Sequence, residues 1–199
     1  VYKRQWMEYA YRAINEIDPH ILKMNVLNLG YEGMFSGYNY VMELRKKYDC
    51  NMPWILLFDP TASCNLHCKG CWAAEYGKTL NLTYEEMDKL VTEGEELGIH
   101  WYMCTGGEPM CRKNDLLKLA AAHQSSVFHL FTNGTLIDEA FADDMLRVGN
   151  FAPAISVEGY GEETDMRRGK GTFKAVMKAM EILKRKRLSF GMSTCYHRK

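Results

Sequence analysis

The chain has 199 residues, of which 47% are hydrophobic and 25% are charged, a composition that gives a globular protein enough apolar side chains for a core. Lys plus Arg and Asp plus Glu number 25 each, so no net charge favours nucleic acid, acidic lipid or a distant anionic ligand. The longest apolar stretch, residues 54–58, is too short to span a bilayer, and the first residues do not resemble a signal peptide. We therefore expect a cytoplasmic protein without a nucleic-acid or membrane partner.

From residue 54 onward, short apolar runs alternate with helical patterns. Several of these runs lack a regular alternation of polar and apolar residues, which suits parallel strands that are covered on both faces. The alternating order implies right-handed crossovers and a parallel sheet or barrel. We predict an α/β fold with five strands, too few to close a barrel, from runs at residues 54–58, 99–104, 127–131, 154–157 and 188–194.

Capping signals mark the helices between these runs. Thr83 and Glu86 form a capping box at the start of the first of them. Asn114 is the candidate cap of the next helix, and Asp138 is the candidate cap of the one after it. The last helix ends in the basic run 184–187, which complements the helix dipole.

Residues 1–50 are predicted to form a helical N-terminal extension, followed by the α/β core at residues 51–199. Asp18 and Pro19 indicate the start of a second helix in this extension. The first helix has an apolar face, which predicts that the role of the extension is packing. Its residues are Trp6, Tyr9, Ala10, Ala13 and Ile17.

Cysteine is the residue type that points to chemistry. Three of the seven cysteines, Cys64, Cys68 and Cys71, fall within eight residues. Such clustering favours metal or redox chemistry in a reducing compartment over a disulfide framework. Three thiolates on one tight loop can hold an iron–sulfur cluster and leave one iron open to another ligand. The alternatives are zinc held by these cysteines and His67, or a redox pair of Cys68 and Cys71.

The other four cysteines are expected to be small, buried apolar residues. They are Cys50, Cys104, Cys111 and Cys195. Because Cys104 and Cys111 flank a glycine-containing loop, a role at the substrate is the alternative for these two.

Polar loops follow the next three runs, at the strand ends where parallel α/β folds gather their sites. TGGEP at 105–109 combines glycines, which allow close approach to the backbone, with a proline that constrains the turn. TNGT at 132–135 is a plausible turn. Ser156 and Glu158 are predicted to lie on one strand face, where a carboxylate needs a partner or a ligand.

The ordered combination of these segments resembles the radical S-adenosylmethionine (SAM) superfamily. CNLHCKGCW at 64–72 matches the CxxxCxxC signature of that family, and GGEP, FTNGT and SVEG resemble its SAM-binding elements in their usual order. This match covers residues 54 to about 195 and strongly disfavours the zinc alternative. The resemblance implies a partial (βα)6 TIM-barrel-like radical SAM core, truncated after the fifth strand.

In that family three cysteines bind a [4Fe–4S] cluster and SAM binds the fourth iron, so the resemblance implies Cys64, Cys68 and Cys71 as cluster ligands. The resemblance also implies a SAM site, with Trp72 beside the adenine and the segment Gly106, Gly107, Glu108 and Pro109 at the methionine amino group. Thr132 and Asn133 would lie near the cofactor, and Ser156 and Glu158 would meet the ribose and methionine. Arg168, rather than Arg167, would contact the SAM carboxylate. A core position is the alternative for Trp72.

The resemblance further implies reductive cleavage of SAM to methionine and a 5′-deoxyadenosyl radical, which abstracts hydrogen from a substrate. That substrate would be a small molecule or a peptide, in a peptide-modifying or cofactor-maturing subtype. The electron donor would be a flavodoxin or ferredoxin. The alternatives are a non-enzymatic zinc- or cluster-binding module and an inactive fragment of such an enzyme.

Overall fold

The computed structural model describes residues 2–73, 77 and 79–195. One parallel sheet lies at its centre, and its five strands follow the order β1-β2-β3-β4-β5, so each strand pairs with the next one in the chain. The strands are β1 (Leu56–Phe58), β2 (Trp101–Cys104), β3 (Val127–Thr132), β4 (Phe151–Ser156) and β5 (Gly191–Ser193). The predicted α/β fold with five parallel strands is confirmed.

Helices precede the sheet and connect its strands. The extension contains α1 (Tyr2–Glu16), α2 (Pro19–Asn25), a π-helical segment (Val26–Ser36) and α3 (Gly37–Tyr48). The crossovers contain α4 (Tyr84–Glu96), a 3-10 turn (Pro109–Arg112), α5 (Lys113–Ala122), α6 (Glu139–Val148), α7 (Glu162–Arg168) and α8 (Thr172–Arg185). Among the described residues, none of the helices combines the length and apolar character needed to cross a membrane.

Local hydrogen bonds explain where several helices begin. The capping box is confirmed, because the Thr83 side chain accepts from the Glu86 N–H while the Glu86 carboxylate accepts from the Thr83 N–H. Asp138 caps α6 by accepting from the Phe141 N–H at 2.8 Å. The prediction of Asn114 as a cap is wrong: α5 begins one residue earlier, since the preceding 3-10 turn leads directly into the helix.

Two strands and one crossover differ from the pattern predicted by hydropathy. Strands β1 and β5 have only three residues each, shorter than the apolar runs that contain them. The crossover from β4 to β5 holds two helices, α7 and α8, where one was predicted. Gly169 and Gly171 separate them, since both have positive φ angles, 107° and 88°, that interrupt a right-handed helix.

Buried aromatic side chains fill the layer between the sheet and the helices. Tyr102, Phe128 and Phe151 are at most 1% exposed and follow one another across β2, β3 and β4. The Tyr102 hydroxyl lies 2.9 Å from Val91 O and 2.8 Å from Ile99 O. Burial raises the pKa of this tyrosine, which keeps the side chain neutral in the core. The alternate residues of β2 form the other face of the sheet, which is half-buried.

The helical extension contacts the sheet near the amino-terminal ends of the strands. Asn28 is 4% exposed and donates a 3.1 Å hydrogen bond to Ser126 O, just before β3. Helix α1 behaves differently: in the described part of the chain, Ile17, one residue beyond the helix end at Glu16, packs against the core. Trp6 and Tyr9 are 70% and 66% exposed, so the prediction of a packing role is wrong for these two side chains.

The cysteines outside the cysteine loop differ in burial. Cys104 is fully buried on β2, as predicted, and this burial leaves no surface for contact with a substrate. The expectation of burial is wrong for Cys50, Cys111 and Cys195, which are exposed. These three lie outside the strands.

Candidate functional site

The loop after β1 carries the three clustered cysteines. Cys64, Cys68 and Cys71 are each half-buried and line one cavity of about 200 Å³, together with Leu66 and His67. The Leu66 N–H donates to Cys64 Sγ at 3.4 Å, and the Cys71 N–H donates to Cys68 O at 3.3 Å. Tight turns of the backbone thus bring the three predicted cluster residues around one space.

Both burial and charge act on these thiols. Burial raises the pKa of Cys64, and the hydrogen bond from Leu66 opposes part of that rise. Burial also raises the pKa of Cys68, whereas the positive charges of Arg168 and, more weakly, of Arg167 lower it. The two positions therefore favour the neutral thiol, so iron binding would release a proton from each.

Thiols around an enclosed space fit an iron–sulfur cluster better than a single ion. Soft thiolates bind such clusters with a different iron for each cysteine, so the sulfur atoms need not converge on one point. Within residues 2–73, 77 and 79–195, no group of three or more His, Cys, Asp or Glu side chains is placed to hold one metal ion. The zinc alternative with His67 therefore has no support in the described part of the chain.

A second cavity, of about 310 Å³, adjoins the cysteine cavity and shares Ala62 and Ala73 with it. Trp72, Gly106 and Gly107 line this second cavity. Trp72 is 60% exposed, so the alternative of a core position is wrong for it. Its indole offers a flat apolar surface against which an aromatic ring can stack. The structure thus places three of the predicted SAM-binding residues beside the cysteine cavity.

Gly106 and Gly107 are required by the packing of two loops against each other. A Cβ on Gly107 would lie 2.3 Å from Ser63 O, and one on Gly106 would lie 2.5 Å from Thr61 O. Gly106 also has a φ angle of 103°, which side-chain-bearing residues rarely adopt. The Gly107 N–H donates to Thr61 O at 2.9 Å, and the Glu108 N–H donates to Ser63 O at 2.8 Å. The glycines therefore let the loop after β2 lie directly on the start of the cysteine loop.

Glu108 is a buried carboxylate, 1% exposed, that joins the ends of β2 and β3. Its Oε1 accepts from the Thr132 hydroxyl at 2.6 Å and the Met110 N–H at 3.0 Å, and its Oε2 accepts from the Asn133 N–H at 2.7 Å. Burial raises the pKa of Glu108, and these three hydrogen bonds oppose the rise. Pro109, also buried, begins the 3-10 turn that follows. Four residues predicted separately as cofactor-binding are thus one connected unit.

The same network continues into the cysteine loop through asparagine side chains. Asn133 Nδ2 donates to Asn65 Oδ1 at 2.8 Å, and Asn65 Nδ2 donates to Thr135 Oγ1 at 2.9 Å. The Thr135 hydroxyl donates in turn to Asn133 Oδ1 at 2.7 Å. The three side chains close a ring of hydrogen bonds, which holds the residue next to Cys64 against the end of β3.

Ser156 and Glu158 take different positions at the end of β4. Ser156 is the last residue of the strand, in register with Ser193 of β5, whereas Glu158 lies in the loop beyond it. The prediction that Ser156 and Glu158 share a strand face is therefore wrong, because β4 ends at Ser156 and Glu158 lies outside the strand. Its Oε1 accepts from Arg167 Nη1 at 2.7 Å and from Arg168 Nε and Nη2 at 2.8 and 2.6 Å. The structure thus joins Glu158 to both candidate arginines.

The sequence assigns no role to Asn65 or Thr135, although each contacts a predicted site residue, and it offers Arg167 only as the alternative to Arg168. A polar residue inside a ligand loop is the signal that marks Asn65. No local signal indicates that Arg167 and Arg168 share a partner, because adjacent residues of a helix point in different directions. Only the position of Glu158 beside α7 brings the two guanidinium groups together.

Comparison with known proteins points to one family. A family model described as the radical SAM superfamily matches residues 58–197. The Fe-coproporphyrin III synthase of Methanosarcina barkeri (strain Fusaro) is 31% identical over 143 residues, which cover 69% of this chain and 36% of that protein. The PqqA peptide cyclase of Granulibacter bethesdensis is 28% identical over 151 residues, which cover 73% of this chain and 40% of that protein.

Solved structures give a similar result. The structure of anSMEcpe with bound AdoMet and a peptide is 26% identical to this chain, with a TM-score of 0.58 over 69% of this chain and 41% of that one. The chain therefore spans well under half the length of each of these relatives.

Proposed function

Because the chain belongs to the radical SAM superfamily, enzymes that use a [4Fe–4S] cluster and SAM, we propose that its cysteine loop binds the cluster and that the adjoining cavity binds SAM. Cys64, Cys68 and Cys71 would each hold one iron. When bound, the reduced cluster and SAM supply a 5′-deoxyadenosyl radical that abstracts hydrogen from the substrate. The observation that carries the proposal is the adjacency of the two cavities, which share Ala62 and Ala73.

The chain's own residues suit the separate parts of SAM. The Trp72 indole would stack on the adenine, and the Ser156 hydroxyl would meet the ribose. An ammonium group needs acceptors, which the backbone of Gly106 and Gly107, lining the second cavity, would supply. The planar guanidinium of Arg168 matches the geometry of the SAM carboxylate.

The residues around Glu108 would hold the backbone of the SAM site in place without contacting SAM. The Glu108 carboxylate is 1% exposed and accepts three hydrogen bonds from protein donors, so its role is to hold the loop that carries the two glycines. Thr132 and Asn133 act through that carboxylate, and Pro109 limits the freedom of the turn after it. We propose Glu108, Pro109, Thr132 and Asn133 as residues that position the backbone for the cofactor.

The substrate and the electron donor belong to the activity of the whole protein. We propose a small-molecule or a peptide substrate, in line with relatives that are named as an Fe-coproporphyrin III synthase and a PqqA peptide cyclase. We propose a flavodoxin or ferredoxin as the reductant, because each reductive cleavage of SAM takes one low-potential electron.

Anaerobic reconstitution with iron and sulfide, followed by EPR of the dithionite-reduced protein with and without SAM, tests the site. We expect a [4Fe–4S]⁺ signal that SAM perturbs, and we expect Cys68→Ala to lose it. Cys50→Ala is the matched control, because Cys50 is exposed and lies outside the cysteine loop. A colourless, zinc-containing protein would contradict the proposal in favour of the zinc module. A cluster that SAM leaves unchanged would favour a module without SAM chemistry.

A further inference from the structure

Two arginines share one carboxylate oxygen beside the cysteine loop. Glu158 Oε1 accepts hydrogen bonds from Arg167 and Arg168 at 2.6 to 2.8 Å, while Glu158 Oε2 accepts from the Cys195 N–H at 3.3 Å. The exposed fractions of the side chains are 7% for Glu158, 14% for Arg168 and 27% for Arg167. The group is therefore largely withdrawn from water, where charges that lack a partner are costly.

The charges of this group do not balance. One carboxylate faces two guanidinium groups, so the cluster of side chains carries one net positive charge. A second carboxylate would neutralise that charge, and a guanidinium offers the parallel N–H donors that such a group accepts. Arg168, the more buried of the two arginines, is the one proposed above to bind the carboxylate of SAM.

The two arginines are held in different ways. Arg167 Nε also donates to Lys69 O at 3.3 Å, and the Lys69 N–H donates to Arg167 O at 2.8 Å, so Arg167 is tied to the turn between Cys68 and Cys71. In the described part of the chain, the guanidinium of Arg168 hydrogen-bonds only to Glu158. Arg168 can therefore change partner while Arg167 stays in place.

We propose that Arg167 is a positioning residue that keeps Glu158 paired when Arg168 passes from Glu158 to the carboxylate of SAM. This inference rests on the SAM site of the proposed function. Without Arg167, release of Arg168 would leave the buried Glu158 carboxylate with one backbone donor. Arg168 would then be held more strongly by Glu158, and the SAM carboxylate would compete for it less well.

The test compares SAM with decarboxylated SAM, which lacks the carboxylate that Arg168 would bind. Dissociation constants of both ligands are measured by anaerobic equilibrium dialysis on the cluster-reconstituted full chain, as wild type, Arg167→Gln and Arg168→Gln. We expect Arg167→Gln to raise the dissociation constant for SAM roughly tenfold to a hundredfold, which is the effect of losing charge-assisted hydrogen bonds. Binding of decarboxylated SAM does not require Arg168 to leave Glu158, so its dissociation constant should change by less than about threefold.

Arg147→Gln is the matched control, because Arg147 forms an exposed ion pair with Asp144 on α6. This variant should bind both ligands as wild type does. Arg167→Lys keeps a cation beside Glu158 and should give a smaller loss that is again confined to SAM. If Arg167→Gln assembles no cluster, the same two-ligand comparison on Arg167→Lys decides the question.

Equal weakening of both ligands would overturn the inference, since it would show that Arg167 only supports the loop. Unchanged binding of SAM would overturn it as well. The proposed function fails separately: in that case the wild-type chain itself does not bind SAM at its cluster, whatever residue stands at position 167.

Discussion

The Thr132 hydroxyl donates a 2.6 Å hydrogen bond to the Glu108 carboxylate, although the two residues are 24 positions apart and lie at the ends of different strands. Thr132 Oγ1 also accepts from the Gly134 N–H at 3.0 Å, so one hydroxyl links the loop after β2 to the loop after β3. Because Glu108 is only 1% exposed, a donor that is lost here cannot be replaced by bulk water without opening the site.

Replacing Thr132 by valine tests how much this hydrogen bond contributes to the free energy of unfolding. Thr132→Val keeps the shape of the side chain but leaves the buried carboxylate with one donor fewer, so we expect the free energy of unfolding to fall by about 1–3 kcal/mol. Chemical denaturation of the reconstituted protein measures the change. Thr92→Val is the control, because Thr92 is exposed on α4, and it should change stability by less than about 0.5 kcal/mol.

Gly107 is the position where a single methyl group should disturb the site most. In Gly107→Ala the new Cβ would lie 2.3 Å from Ser63 O, a backbone atom that can move only with the cysteine loop. We expect a loss of stability of about 1–3 kcal/mol, together with a weaker effect of SAM on the EPR signal. In Gly30→Ala nothing lies within 4 Å of the added Cβ, so this variant should retain the stability and EPR response of wild type. Equal behaviour of the two variants would contradict the packing argument.

Trp72 should contribute to binding and little to stability. It is 60% exposed and lines the cavity that we assign to SAM, so truncation removes a stacking surface without opening the core. We expect Trp72→Ala to raise the Kd for SAM about tenfold and Trp72→Phe to raise it less, since phenylalanine keeps an aromatic face. Equilibrium dialysis gives both values. Trp6→Ala is the control, because Trp6 is exposed on α1 and lies outside the cavity residues. An unchanged Kd in Trp72→Ala would remove the indole from the SAM site.

Glu95 makes stability depend on acidic pH. Burial alone would raise the pKa of this carboxyl, but hydrogen bonds from Ser126, His123 and Ser125 lower it below its ordinary value of 4.5. A folded-state pKa below the unfolded one stabilises the protein above about pH 4.5, and that stabilisation is lost as the pH falls through the folded-state pKa.

We therefore expect Glu95→Gln to lower the free energy of unfolding by about 1–2 kcal/mol at pH 7, and the difference from wild type to shrink as the pH falls below 4.5. Urea denaturation between pH 7 and about pH 3.5 measures this. Glu96→Gln, at the exposed end of α4, is the control. A difference that is constant over this range would show that the charge of Glu95 does not contribute.

Much of the architecture follows from local patterns in the sequence. The capping box of Thr83 and the cap at Asp138 are correct because both depend on hydrogen bonds within three residues. The five parallel strands also follow from local patterns, because each lies within an apolar run, although β5 is largely exposed. Spacing also determines that Cys64, Cys68 and Cys71 share one loop, because the chain between them is too short to separate them.

Tertiary structure alone decides the partners of the charged and polar site residues. Asn65 and Asn133 are 68 positions apart, and Glu158 meets Arg167 and Arg168 only because α7 returns to the end of β4. No periodicity encodes such pairs, since their distance depends on how the crossovers pack and not on spacing along the chain. The same reason explains the exposed Trp6 on α1, because an apolar helix face indicates a capacity to pack, whereas the fold determines which part of it meets the core.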